Sequence, residues 1–158
     1  MEKNIQIKDC KKIETRDAHG QPNGWVLEIV SDGDGFTQHL QGQMYLTVAA
    51  PGLFKGYHAH AMADYFVTCI KGRIREIVYT GRTERTEVEI GDGDFKTVFV
   101  PKGAPHAIEN ICQEEAYVLI YRYPSWDPNV KEQLDIAPED IEKPETWKKI
   151  REFCSQFQ

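Results

Sequence analysis

The chain has no apolar run approaching the roughly 20 residues that a membrane-spanning helix needs, and no apolar leader precedes its polar start MEKNIQIKD. It is also short of patterned cysteine: Cys10, Cys69, Cys112 and Cys154 lie far apart without CxxC spacing. These absences predict a cytoplasmic protein with reduced thiols, not a secreted disulfide scaffold and not a membrane protein. Cys69 and Cys112 sit in apolar runs and read as small core residues. Positive charge is in deficit as well. Nineteen Lys and Arg stand against 25 Asp and Glu, a net charge of −6. A protein that coats nucleic acid needs a basic surface, so that class is excluded, while a small anion held by a few local arginines is not. Two GDGD-type runs, Asp32 to Gly35 and Gly91 to Asp94, lack the twelve-residue spacing and flanking helices of an EF-hand and read as tight turns.

What is present is β pattern. Hydrophobic residues make up 41% of 158 residues, enough for one domain with a core of its own. GWVLEIV, QMYLTVA, LFKGYHAH, YFVTCIKG, RIREIVYT, TEVEI, KTVFVP and EAYVLIYRY are short runs of strand composition separated by glycine-rich turns. Such spacing predicts an antiparallel sandwich or barrel. From Pro138 the period changes: Trp147, Ile150, Phe153, Cys154 and Phe157 recur at helical spacing behind a proline and acidic residues. We therefore expect residues 1–137 to form the barrel and 138–158 a C-terminal helix packed on it, with SWDPNVKEQLDIAPED as a polar connector. His19 and His39 fall in polar, glycine-containing segments and read as surface residues.

The chemistry concentrates in two segments. KGYHAH carries His58 and His60 two residues apart, which a strand places on one face. PKGAPHAIEN, about 45 residues later, carries His106 and Asn110. The β-rich return path between them predicts that the three imidazoles meet in one cavity.

These two segments resemble the signatures of the cupin superfamily. The first reads HxH, an acid, then a strand ending in glycine, matched by His58, His60, Asp64 and Gly72, with aspartate where glutamate is usual and one extra residue before the glycine. The second reads PxGxxHxxxN and is matched throughout by Pro101, Gly103, His106 and Asn110. The resemblance implies an all-β fold, the cupin double-stranded β-helix or jelly-roll barrel, with the C-terminal α-helix added. Within the cupins, Gly24 to Asp135 is similar to the dTDP-4-dehydrorhamnose 3,5-epimerase-like proteins and the dTDP-sugar 3,4-ketoisomerases. That implies an epimerase or ketoisomerase of a nucleotide-linked 4-keto-6-deoxyhexose in cell-surface polysaccharide or deoxysugar biosynthesis, working without a cofactor.

Proton abstraction beside a carbonyl requires a base, an acid and an oxyanion clamp. A neutral imidazole suits the first role at neutral pH. The resemblance assigns the base to His58; His106 is a further catalytic candidate, and Asp64 is the candidate carboxylate to orient His58 if the barrel brings it close. The tyrosine that the family takes from the strand after the second motif falls near Ser125 or Trp126, which leaves Tyr123, or Tyr121, to supply a phenol. Lys55, His60, Tyr65, Arg73 and Arg122 are the candidate substrate-binding residues; Tyr65 stands where many members have lysine, and Lys55 where they have arginine.

His58, His60, Asp64 and His106 are also the residue types with which other cupins hold a divalent iron, manganese, nickel, zinc or copper ion. A metal-dependent dioxygenase, isomerase or sensor is thus an alternative, and a non-catalytic sugar-binding cupin a third. The expected partners are a small nucleotide sugar and, by resemblance, a second copy of the chain in a homodimer, with neither nucleic acid nor membrane.

Overall fold

The computed structural model describes residues 9, 11–35 and 41–157; Cys10 and His39 lie outside them. Eleven strands are present: β1 (Lys11–Arg16), β2 (Pro22–Ser31), β3 (Gln43–Ala49), β4 (Phe54–His60), β5 (Asp64–Lys71), β6 (Arg73–Gly81), β7 (Glu84–Gly91), β8 (Thr97–Val100), β9 (His106–Asn110), β10 (Ala116–Tyr123) and β11 (Gln133–Asp135), followed by the helix α1 (Pro144–Ser155). They form a six-stranded sheet in the order β1-β2-β3-β10-β5-β8 and a five-stranded sheet in the order β11-β4-β9-β6-β7. All pairings are antiparallel. This is the expected jelly roll with a C-terminal helix.

Alternation along each strand decides what the sheets enclose. On β10, Ala116, Val118, Ile120 and Arg122 are buried while Tyr117, Leu119, Tyr121 and Tyr123 turn outward. The inward sets of both sheets meet in one core, with Val67 and Cys69 on β5, Ile74 and Val78 on β6, Ile90 on β7 and Val118 on β10. The five-stranded sheet is also covered on its other face. There Tyr57, Ala59, Ile77, Tyr79 and Ala107 pack with Ile136, Ile141 and Ile150, the last from α1. Burial on two faces explains why Ile77, Val78 and Tyr79 follow one another without polar alternation on β6.

Three features differ from the sequence reading. β1 has a charged, exposed composition and gave no strand signal, yet it pairs with β2 from Lys11↔Glu28 to Arg16↔Pro22. The connector after β10 contains β11, which pairs with β4 through Gln133↔His60 and Asp135↔His58. The helix starts at Pro144, and Pro138–Asp140 is a separate 3-10 turn. In the first two cases a short polar segment is held by a neighbouring strand instead of by its own propensity.

Asn110 shows what part of the second signature does. It is 1% exposed, and its amide donates to the carbonyls of Ala49, Ala50 and Glu114 at 3.0, 3.1 and 2.7 Å while its oxygen accepts the Cys112 N–H at 2.8 Å. It ties the end of β9 to the end of β3 and is structural. Asn110→Ala strands several buried backbone groups and is expected to cost on the order of 3 kcal/mol; a chemical-denaturation midpoint equal to that of the parent protein contradicts this.

Candidate active site

Between the sheets lies a cavity of about 390 Å³, walled by β3, β4, β5, β9, β10 and β11 and flanked by β1 and β2. His58, His60 and His106 all line it. His58 and His60 share a face of β4, and His58 lies opposite His106 in the β4–β9 pairing. Ring centroids are 6.2 Å apart for His58 and His60 and 5.7 Å apart for His60 and His106.

Each imidazole is held through Nδ1 by its own carboxylate. His58 Nδ1 is 2.8 Å from Asp135 Oδ1, brought there by the pairing of β11 with β4. Gln133 Nε2 donates to the same Asp135 oxygen at 2.6 Å. The His58 hydrogen bond outweighs burial and holds the Asp135 carboxyl down at about 2. The His58 side chain is 31% exposed, so Nε2 is the ring nitrogen left for a ligand in the cavity.

His106 Nδ1 is 2.7 Å from Glu76 Oε1. Glu76 is fully buried; desolvation pushes its carboxyl up and the His106 hydrogen bond opposes that. His106 Nε2 is buried without a protein partner, which suits a group awaiting a ligand atom.

His60 lies deepest. Its Nδ1 is 3.1 Å from the Tyr65 hydroxyl and 3.4 Å from Glu132 Oε1, and Arg122 Nη2 donates to that same Glu132 oxygen at 2.9 Å. Burial holds the His60 imidazole down at about 4, against the pull of Glu132. Burial would raise Glu132, but the His60 hydrogen bond and the charges of His60 and Arg122 reverse this and take it to about 2. At neutral pH the arrangement is a neutral His60 beside a Glu132 carboxylate paired with Arg122. Arg122 also donates to the Pro124 carbonyl and lies 5.2 Å over the Tyr65 ring, so it lines the cavity with its guanidinium already committed.

The His60 shift has a consequence for stability. Its folded-state pKa lies below the ordinary 6.5, so the unfolded chain takes up the proton first as pH falls. Stability from this group is complete above about 6.5 and is lost progressively down to about 4. Melting temperature is expected to fall across that window in the parent protein, and His60→Gln to flatten the fall; parallel pH profiles for the two proteins would contradict it.

Lys55 also reaches the cavity, although it is an odd number of residues from His58. The β4–β9 register shifts between Gly56 and His58, and this switches the side of the strand. Lys55 Nζ donates to Thr15 Oγ1 at 2.8 Å and Val48 O at 3.3 Å, and burial lowers its pKa to about 8.

Several sequence expectations are corrected. Asp64 does not orient His58: its Oδ1 accepts the Lys102 N–H at 2.9 Å, joining the two signature segments, and it does not line the cavity. Tyr123 is 51% exposed on the outward face of β10, and Tyr121, on the same face, donates to Gln41 O at 2.9 Å, so strand alternation excludes both phenols from the cavity. Arg73 and Arg75 point away from it as well. Arg73 reaches Asp92 O at 3.0 Å, and Arg75 bridges Glu89 and Glu109. Of the set His58, His60, Asp64 and His106, the three histidines line one cavity, but Asp64 does not join them, because its carboxylate belongs to the loop contact. No group of three or more His, Cys, Asp or Glu among the described residues is placed to hold an ion.

The sequence reading missed Asp135, Glu132, Glu76 and Tyr45. Glu76 carried a usable signal, a lone acid between Ile74 and Val78 on the buried face of β6. Tyr45 alternates with Gln43 and Thr47, all three lining the cavity from β3. Burial pushes the Tyr45 phenol up to about 12, with the Arg122 charge and a hydrogen bond with Tyr65 opposing. Asp135 and Glu132 had none, since they lie in the connector whose strand forms only by pairing with β4.

Among the described residues no helix is long and apolar enough to cross a membrane. No curated protein matches the chain. Among solved structures, the capsular polysaccharide assembling protein CapF from Staphylococcus aureus superposes with a TM-score of 0.64 at 19% identity, over 78% of this chain and 34% of that one. This chain thus spans about a third of the CapF length. A dTDP sugar isomerase from Desulfovibrio desulfuricans G20 superposes with a TM-score of 0.60 at 18% identity, over 90% of both chains. NovW, a 4-keto-6-deoxy sugar epimerase from Streptomyces spheroides, gives 0.57 at 20% identity, over 84% of this chain and 69% of that one. The likeness is one of fold. The family model described as the polysaccharide biosynthesis C-terminal domain matches residues 21–134, from β2 into β11, and the chain belongs to that family.

Proposed function

We propose that this protein is an epimerase or isomerase of sugar biosynthesis that removes a proton beside the carbonyl of a nucleotide-linked 4-keto-6-deoxyhexose. The observation that carries the reading is the His58–Asp135 pair at 2.8 Å on the cavity wall. Asp135 accepts the Nδ1 proton and leaves the Nε2 lone pair as the base. As the C–H bond breaks, its electron pair moves onto the carbonyl oxygen. Lys55, with two of its three N–H donors engaged, is the group suited to stabilise that enolate oxygen. A cavity of about 390 Å³ is of the size that takes a small molecule. Arg16, exposed at its edge, supplies a cation for a diphosphate that sequence reading did not single out. The family's link to polysaccharide biosynthesis and the sugar isomerase and epimerase among structural neighbours support this substrate class.

Incubation with dTDP-4-keto-6-deoxyglucose in deuterium oxide is expected to place deuterium beside the carbonyl, read by NMR. His58→Asn is expected to reduce that incorporation by about a thousandfold. Absence of incorporation by the parent protein, or full incorporation by a folded His58→Asn variant, sinks the reading.

A further inference from the structure

The two sheets differ in what covers their outer faces. On the five-stranded sheet Tyr57, Ile77 and Tyr79 are packed under Ile136, Ile141 and Ile150 of the C-terminal segment. The outer face of the six-stranded sheet is just as apolar, yet neither apolar cluster of the described residues includes it. Strand register arranges this face in rows. One runs through Val30, Met44, Tyr121, Phe66 and Phe99 across β2, β3, β10, β5 and β8, and the next through Leu27, Leu46, Leu119, Thr68 and Thr97. A third holds Trp25, Val48 and Tyr117. Met44, Phe66 and Phe99 are 36%, 38% and 53% exposed. A sheet face turned to water ordinarily alternates to polar residues, but no charge stands in these rows from β2 to β10. Charges lie at the rim, Lys12 and Glu14 on β1 and Asp64 and Lys71 at the two ends of β5.

We infer that this face is the interface of a homodimer, in which a second copy of the chain stacks its six-stranded sheet on the first across a two-fold axis. Size supports that occupant. Five strands about 4.8 Å apart and three rows about 6.6 Å apart give a patch of roughly 25 by 20 Å with its side chains. Side-chain relief brings this to the order of the ~800 Å² that each partner buries in a standard specific interface, and it is more apolar surface than a monomer ordinarily leaves open.

Charge supports it as well. Self-pairing sets like against like, which a charged face resists in a chain of net charge −6. The uncharged rows bring no like charges together. An axis along the strands between β3 and β10 sets β5 of one copy over β2 of the other, so Lys71 comes beside Glu14, an unlike pair. The relief of the face also fits a facing sheet. Phe66 meets Phe99 and Tyr121 at 5.2 and 5.9 Å with ring planes tilted by 47° and 41°. Ring edges therefore stand out of the sheet and can interdigitate with a second sheet about 10 Å away, where a platform for stacked sugar rings would lie flat. Pairing through the edge of the sheet is the poorer route, because β1 presents Lys11, Lys12, Glu14 and Arg16 there, and charged edge strands resist strand addition.

Sedimentation velocity of the full chain tests the interface, and the parent protein is expected to run as a dimer at micromolar concentration. Phe66→Glu puts a carboxylate near the centre of the face in both copies and is expected to weaken the dimer by about 100-fold or more, and Phe99→Glu by about tenfold or more. Both rings are more than a third exposed in the single chain, so each variant is expected to keep the parent circular dichroism. Lys71→Glu, an exchange on the surface that leaves the apolar rows intact, is expected to weaken the dimer about fivefold, with Glu14→Lys in the same chain restoring it. A parent protein that is monomeric at about 100 μM overturns the inference. So does a dissociation constant unchanged in the folded phenylalanine variants; if both lose their sheet signal, an unchanged constant in Lys71→Glu does the same.

Discussion

Replacing Asp135 by asparagine is expected to lower turnover by about a thousandfold while the fold persists. The carboxylate accepts the His58 Nδ1 proton at 2.8 Å and so dictates which nitrogen carries the lone pair. An asparagine amide can donate to Nδ1 instead. That stabilises the tautomer with its proton on Nε2, which cannot take another from a sugar carbon without becoming an isolated cation. Gln133 lies 3.2 Å from the same Nδ1 and is another potential donor to it once the carboxylate is gone. Deuterium exchange and product formation should drop in the same proportion, since both begin with the same proton removal. A variant that keeps more than about a tenth of parent turnover would show that Asp135 does not set the tautomer.

Gly56→Ala is expected to damage the fold severely. Gly56 has φ 142°, and a Cβ added there would stand 2.5 Å from Ala107 Cβ and 2.8 Å from Ala107 Cα and His106 O. Backbone strain and overpacking together should cost roughly 3–5 kcal/mol. Against a typical total of about 5–15 kcal/mol this is a large fraction, a drop in melting temperature of roughly 10–15 °C for a chain of this size. The effect reaches the cavity, because the register shift at Gly56 puts Lys55 on the same side as His58 and the clash falls on the His106 segment. Gly52→Ala is the control: φ is 65° there with no atom within 4 Å, so only the backbone term of about 1 kcal/mol applies. Equal melting temperatures for the two variants would show that close approach at Gly56 is not what demands glycine.

How far the sequence carried depended on whether a signal was local. Period-two alternation and glycine turns identified β3 to its exact bounds, and the HxH spacing put His58 and His60 on one face. The second signature correctly brought His106 to the same cavity. Local pattern misled where a motif residue had more than one possible use. Asp64 holds the acid position of the first signature and so reads as an orienting carboxylate, but the loop carrying Lys102 takes its oxygen. Tyr123 was read as an acid because it is near the second motif in sequence, but β10 turns Arg122 inward and Tyr123 outward.

The sequence by itself determined the β-rich pattern, the jelly-roll class, the C-terminal helix and the convergence of three imidazoles, because each follows from alternation, turn residues or motif spacing within a few positions. Only the tertiary structure decided which acid holds each imidazole. Asp135 and Glu132 come from a polar segment that becomes ordered by pairing with β4, and Glu76 and Tyr45 reach the cavity from strands far away in the chain. Those partners are chosen by hydrogen bonding and desolvation across sheets, terms that no local period records.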